Sequence, residues 1–157
     1  MEKLSNNTSG VAGEYFVAAE LSRLGFITSV TLKNAKGIDI LVTDENAQIF
    51  IGIQVKTTQN KRKGWVLNQK SEDFFGKDLF YVFVILNEIG KMPEFHIVPS
   101  IVVAGNVASD HKKWLEIPGK NGQKHNDNPV RLFKDEEDKY LNKWNLLREF
   151  QLTKSST

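Results

Sequence analysis

The chain has 157 residues, of which 40% are hydrophobic and 25% charged, enough for a packed domain burying roughly 70% of its unfolded surface, so wholesale disorder is excluded. It has no cysteine, which excludes a disulfide framework, a thiolate metal centre and a cysteine nucleophile. The formal net charge is only +2, but its distribution is uneven. Asn46 to Ser71 has no acidic residue and carries Lys56, Lys61, Arg62, Lys63 and Lys70, whereas acid collects in Asp135-Glu136-Glu137-Asp138. Such a locally basic surface suits contact with phosphates on one face. Met1 to Gly10 is polar, and no stretch has the length of a membrane span, so a cytoplasmic protein with no membrane partner is expected.

In chain order, Val11 to Leu24 reads as a helix, with Thr8 or Ser9 as its cap and Gly25 as its stop. Ile27 to Leu32 is β-branched and reads as an edge strand. Asn34 to Gly37 is a turn. Ile38 to Thr43 and Gln48 to Thr57 read as two strands joined by a hairpin loop at Asp44 to Ala47. Trp65 to Leu67 is a short strand, and Gln69 to Phe75 a short helix or turn. Leu79 to Leu86 is a continuous apolar run, the mark of a strand covered on both faces. Glu94 to Val98 is a further strand, Pro99-Ser100 leads into a helix, and Pro118 to Pro129 is a loop. Lys139 to Phe150 spaces Tyr140, Trp144 and Leu147 as a terminal helix does. These elements predict an α/β (α+β) domain, a mixed sheet with helices on both faces.

Four polar residues fall where polarity is expensive. Glu14 shares a helical stripe with Val17, Ala18 and Leu21, and an ionised carboxylate there needs a positive partner. In the strand from Ile49, the residues Ile49, Ile51, Ile53 and Val55 share one face, and Phe50, Gly52, Gln54 and Lys56 the other. A lysine at a strand end can reach water along its stem, but a mid-strand amide such as Gln54 needs partners. With the hairpin loop centred on residues 44–47, Asp39 pairs opposite Gly52 and shares the face of Gln54 and Lys56, with open space above Gly52. A slip of one residue would turn Asp39 away.

Glu14 on the first helix, Gly37-Ile38-Asp39 opening a strand and Ile53-Gln54-Val55-Lys56 on the next resemble the PD-(D/E)XK nuclease superfamily. The eleven-residue step from Glu14 to Gly25 is similar to the first helix of archaeal-type Holliday junction resolvases in that superfamily. The whole chain resembles a bacterial branch with the same restriction-endonuclease-like fold and Gln at the second acidic position. The resemblance implies a mixed sheet flanked by helices and one nuclease-like domain over 1–157, with the motif core at about 9–100 and a helical and loop extension at 101–157. It implies Asp39 as first metal-holding acid, Gln54 in place of the second, Lys56 as the lysine that orients or activates water, and Glu14 as the helix acid. The Val55 carbonyl would be a further ligand. Mg²⁺ or Mn²⁺ is the implied cofactor and DNA the implied partner, with RNA as a second candidate; many such nucleases act as homodimers.

An amide oxygen can coordinate Mg²⁺ but brings no charge. Gln54 therefore keeps open a second reading, a catalytically weak or inactive nuclease fold that binds nucleic acid or protein. A third is an interaction protein whose polar cleft is an ion-pair cluster. Lys36, Lys61, Arg62 and Lys63 are candidates for gripping the nucleic-acid backbone, and Trp65, just after the basic run, for stacking on a base. His96, His111 and His125 do not cluster in sequence, and Gly119 to Gly122 lacks the spacing of a phosphate-binding loop.

Overall fold

The structure, a computed structural model, describes residues 3–32, 37–119 and 122–155. Helix α1 (Asn6–Arg23) starts earlier than the sequence suggests, because the Ser5 side chain accepts from the Thr8 N–H and supplies the cap. Its end is as expected. Gly25 takes φ +90°, its N–H donates to the Ser22 carbonyl, and the Phe26 N–H reaches back to Leu21. A left-handed residue closing a helix in this way favours glycine, which has no Cβ to clash.

Five strands form the main sheet, in the order β1 (Ile27–Val30), β2 (Ile40–Thr43), β3 (Phe50–Thr58), β5 (Leu79–Ile85) and β6 (Glu94–Pro99). Among the described strands, only the β3–β5 pair is parallel. A second sheet pairs β4 (Gly64–Asn68) with β7 (Val130–Lys134). A short 3₁₀ turn at Gln69–Glu72 follows β4, and helix α2 (Ser100–Glu116) follows β6 directly. The fully buried Ser100 hydroxyl donates to the Gly76 carbonyl and accepts from its N–H, anchoring the start of α2.

Alternation along β3 and β5 sorts two cores. Val17 and Leu21 of α1 pack with Ile40, Val42, Ile51, Ile53, Val55, Phe80, Val82 and Val84 on one side of the sheet. Tyr81, Phe83 and Ile85 face the other side with Trp65, Leu67, Val103, Val107 and Phe133. The apolar run at Leu79 is thus a strand covered on both faces, as expected.

Two expectations fail at the C-terminal end. Strand β7 was not expected: Arg131 and Phe133 point inward while Val130 and Leu132 are exposed, so no apolar alternation marks it. Helix α3 spans Asn145–Ser155 rather than starting at Lys139. The segment before it is held in turns by Asp135, whose carboxylate accepts from the Lys139 and Tyr140 N–H groups and meets His96 Nδ1 at 2.6 Å. Backbone N–H groups taken by a side chain leave the helical pattern, and the Ile97 N–H takes the Tyr140 carbonyl.

Candidate active site

The site is built where β2, β3 and β5 run side by side. Ile40 pairs with Ile53 and Leu41 with Gly52, so extension of the same register sets Asp39 opposite Gln54. The expected pairing of Asp39 with Gly52 is off by two residues. The cause is the hairpin loop, which runs over 44–49 because the Asp44 carboxylate accepts from the Gln48 and Ile49 N–H groups. A shift of two preserves the face of every side chain. On the next strand, Gln54 pairs with Tyr81 and Lys56 with Phe83. Asp39, Gln54 and Tyr81 therefore form a row across three strands, and Lys56 stands one step along on the same face.

Asp39 is anchored by its position at the end of the β2 ladder. Its N–H donates to the Ile53 carbonyl, its carbonyl accepts from the Thr31 N–H, and its Oδ2 accepts from the Val55 N–H at 2.7 Å. The carboxylate thus takes the place a backbone carbonyl would occupy, and β3 beyond Ile53 has no described partner on the β2 side. Two residues earlier, Gly37 has φ +76° and lies under the Phe74 ring, where a Cβ would come within 2.5 Å of that ring. Both facts require glycine there. The space above Gly52 is not open: Ile38 and Leu79 each come within 3.3 Å of where its Cβ would be.

Glu14 is carried by the helix on the other side of the sheet. Helix α1 packs on the opposite face of the sheet, and Glu14 is half-buried beside the Ser9, Gly13, Val17 and Leu21 stripe. A Cβ on Gly13 would lie 2.0 Å from Thr57 Oγ1. The helix backbone at Gly13 therefore presses on β3 next to Lys56, at the level where β3 has lost its β2 neighbour. The Leu4 backbone and the Gln59 amide, bonded reciprocally at 2.9 Å, tie the start of α1 to the same end of β3. Strand register gathers Asp39, Gln54 and Lys56; it does not place Glu14 in their row.

Lys56, Gln54 and Asp39 are all half-buried. Among the described residues, no salt bridge engages Lys56. Nor do the described residues hold a cluster of three or more histidines and carboxylates suited to a metal ion. The donors available in the row are a carboxylate, an amide oxygen and the Val55 carbonyl, all hard oxygen, as Mg²⁺ and Mn²⁺ prefer. They fit a cation that keeps several waters, and not one held by a full protein cage.

Tyr81 is the residue that the sequence did not single out. It is fully buried, and its hydroxyl makes no hydrogen bond of normal geometry. Burial pushes the phenol above its ordinary value; the Ser71 hydroxyl beside it offsets part of this, and the Asp39 charge adds to it. An Asp39 charge felt at Tyr81 fits the shared row. The signal for Tyr81 was a lone hydroxyl in the run Leu79-Phe80-Tyr81-Val82-Phe83, which needed a strand register to acquire meaning.

The basic residues divide. Lys61 and Arg62 are exposed in the turn after β3. Lys63 is turned to the Asp138 carboxylate at 2.5 Å, a hydrogen bond that raises its pKa, so its charge is committed within the fold. Lys36 lies outside the described residues. Trp65 corrects the stacking expectation: it is 2% exposed, and its Nε1–H donates to the Val84 carbonyl. It alternates inward from β4 into the core, so no base can reach its ring. A groove of about 610 Å³ between α2 and β7, lined by His111, Trp114 and Ile117, shares no residue with the row.

The chain matches the structure of a bacterial homing endonuclease, I-Ssp6803I, with a TM-score of 0.59 and 15% sequence identity, over 99% of this chain and 100% of that one. The chain has a restriction-endonuclease-like fold. The Holliday junction resolvase Hjc from the archaeal hyperthermophile Archaeoglobus fulgidus matches at TM-score 0.44 and 12% identity, over 80% of this chain and 84% of that one. No protein-family model and no curated protein matches the sequence. In this restriction-endonuclease-like sheet, β3 is the central strand, and the Asp39 row crosses it at Gln54. No described helix is long and apolar enough to cross a membrane.

Proposed function

We propose that the protein is a divalent-metal-dependent nuclease that hydrolyses DNA phosphodiester bonds at the Asp39, Gln54 and Lys56 face. The supporting observation is the shared face itself: a carboxylate fixed by the Val55 N–H, an amide directly opposite, and an ammonium two residues on with no described ion-pair partner. Asp39, Gln54 Oε1 and the Val55 carbonyl would hold Mg²⁺ or Mn²⁺, with Glu14 supporting it at the β3 edge. A cation bound there would neutralise phosphate charge and make a bound water more acidic. Lys56 supplies a second, fixed positive charge for the phosphate as negative charge develops on its oxygens. The Val55 N–H holds the Asp39 carboxylate in one orientation, so little reorganisation is needed when phosphate arrives. Lys61 and Arg62, exposed beyond β3, draw in the backbone through long-range attraction. DNA is the substrate class to which the homing-endonuclease neighbour points. The protein is read as one domain of cytoplasmic location, and a homodimer would supply the second strand cut.

The test is incubation with plasmid and branched DNA in Mn²⁺, with and without chelator. Wild type is expected to nick or cut in Mn²⁺ alone, and Lys56→Ala to lower the rate about a hundredfold or more, the usual effect of losing one transition-state charge contact. Cleavage at the wild-type rate in Lys56→Ala would remove this face from consideration.

The second reading, a weakened nuclease fold that mainly binds, draws on Gln54. One carboxylate and one amide give a cation less charge than two carboxylates. Gln54→Glu is expected to tighten Mn²⁺ binding about tenfold, read by calorimetry, and to raise the cleavage rate. A variant that binds Mn²⁺ more tightly yet never cuts favours the binding module.

A further inference from the structure

A glutamine used as a metal ligand poses a problem that a glutamate does not. A carboxylate has two equivalent oxygens, whereas an amide has one oxygen that can hold a cation and one NH₂ that repels it. Something must decide which end faces the cation. Among the described residues, no hydrogen bond fixes the Gln54 amide; its backbone lies in the β3–β5 ladder directly beside Tyr81. Neighbouring strands lie about 4.8 Å apart, so side chains of such a pair stand within reach of each other.

Tyr81 has a hydroxyl that its polar neighbour, the Ser71 hydroxyl, leaves without a hydrogen bond of normal geometry. It is fully buried, it stacks on Phe83 with ring centroids 5.5 Å apart, and its oxygen has no hydrogen-bond partner of normal geometry. Phenylalanine would fill the same space without an unsatisfied polar atom, which is costly when buried. The hydroxyl also stands on the side of the sheet that carries Asp39. A phenol oxygen that donates toward Ser71 can still accept from the NH₂ of Gln54, the residue it is paired with.

We propose that Tyr81 is a positioning residue for Gln54: its phenol oxygen accepts a hydrogen bond from Gln54 Nε2 and thereby presents Oε1 to the cation beside Asp39. This rests on the nuclease reading above for the cation, but the Tyr81–Gln54 contact stands or falls by itself. Gln54 has three rotatable side-chain bonds, so a rotamer change forms the contact without moving either strand. In this arrangement one hydrogen bond gives the buried phenol oxygen a donor, occupies the wrong end of the amide and sets the right end toward the metal. A glutamate at the same position would need no such partner.

That difference supplies the test. Mn²⁺ affinity is measured by titration calorimetry for wild type, Tyr81→Phe, Gln54→Glu and the double variant. Tyr81→Phe is expected to weaken Mn²⁺ binding about five- to tenfold when residue 54 is Gln, the worth of one hydrogen bond, and to change it less than twofold when residue 54 is Glu. Equal weakening in both backgrounds would mean that Tyr81 acts only as scaffold, and would overturn the proposal. The second readout needs neither metal nor activity: the Gln54 side-chain NH₂ resonance of ¹⁵N-labelled, metal-free protein. Tyr81→Phe is expected to shift that resonance and hasten its exchange. An unchanged resonance would overturn the contact. Absence of Mn²⁺ binding by wild type would count against the nuclease reading, while the NH₂ resonance still decides the Tyr81 contact.

Discussion

Asp39→Asn is expected to lower Mn²⁺-dependent cleavage about a hundred- to a thousandfold while leaving the fold nearly as stable as wild type. The two halves of this expectation come from the two tasks of one side chain. Oδ2 accepts from the Val55 N–H at 2.7 Å, which closes the β2 ladder where its backbone pairing ends. An asparagine oxygen can accept that hydrogen bond, so the local structure is kept. What asparagine lacks is the charge, and the loss of one preorganised electrostatic contact costs about 3–4 kcal/mol in the transition state. Asp39→Ala separates the tasks further. It removes the acceptor as well, leaves a part-buried N–H unpaired at a cost of about 1–3 kcal/mol, and lowers the melting temperature by several degrees. A melting curve and a single-turnover cleavage assay on both variants check this. Equal thermal losses in Asn and Ala variants would show that the Val55 contact is not what holds the carboxylate.

The largest stability effect is expected at Trp65. Its ring lies 5.0 Å from Phe83, 5.1 Å from His96 and 6.4 Å from Phe133, with 2% of its surface exposed. Through it β4 and β7 are packed onto the main sheet. Trp65→Ala leaves a cavity among aromatic rings and removes the indole hydrogen bond to the Val84 carbonyl, for about 3–5 kcal/mol, which in a chain of this size is a fall of roughly 10 °C or more. Trp65→Phe keeps most of the packing and is expected to leave DNA affinity unchanged at temperatures where it is folded. A residue that stacks on a base would instead lose about 1–3 kcal/mol of binding when truncated. Melting by circular dichroism and DNA binding by fluorescence anisotropy on the Phe variant separate the two roles.

These two residues show how sequence and structure divide the information. The face shared by Asp39, Gln54 and Lys56 was readable because strand alternation has a period of two and tolerates an error of two in register. The error itself arose from Asp44, whose side chain holds a wider loop than the turn residues suggest. The basic run before Trp65 predicts a surface position, whereas its parity on β4 turns it inward. Lys63 looked like its neighbours until Asp138, distant in sequence, took its charge. Tyr81 was hidden because a strand buried on both faces gives no sign of which side matters; only its pairing with Gln54 gives its hydroxyl a direction. The terminal helix is shorter than its apolar spacing predicts because Asp135 captures two backbone N–H groups in that stretch.

An anomalous difference map from crystals soaked in Mn²⁺ locates the cation relative to Asp39 and Gln54. A peak is expected at about 2.1 Å from an Asp39 carboxylate oxygen and Gln54 Oε1, on the side of the sheet that carries Lys56. A peak held by other residues, or none with Asp39 and Gln54 both ordered, would contradict this expectation.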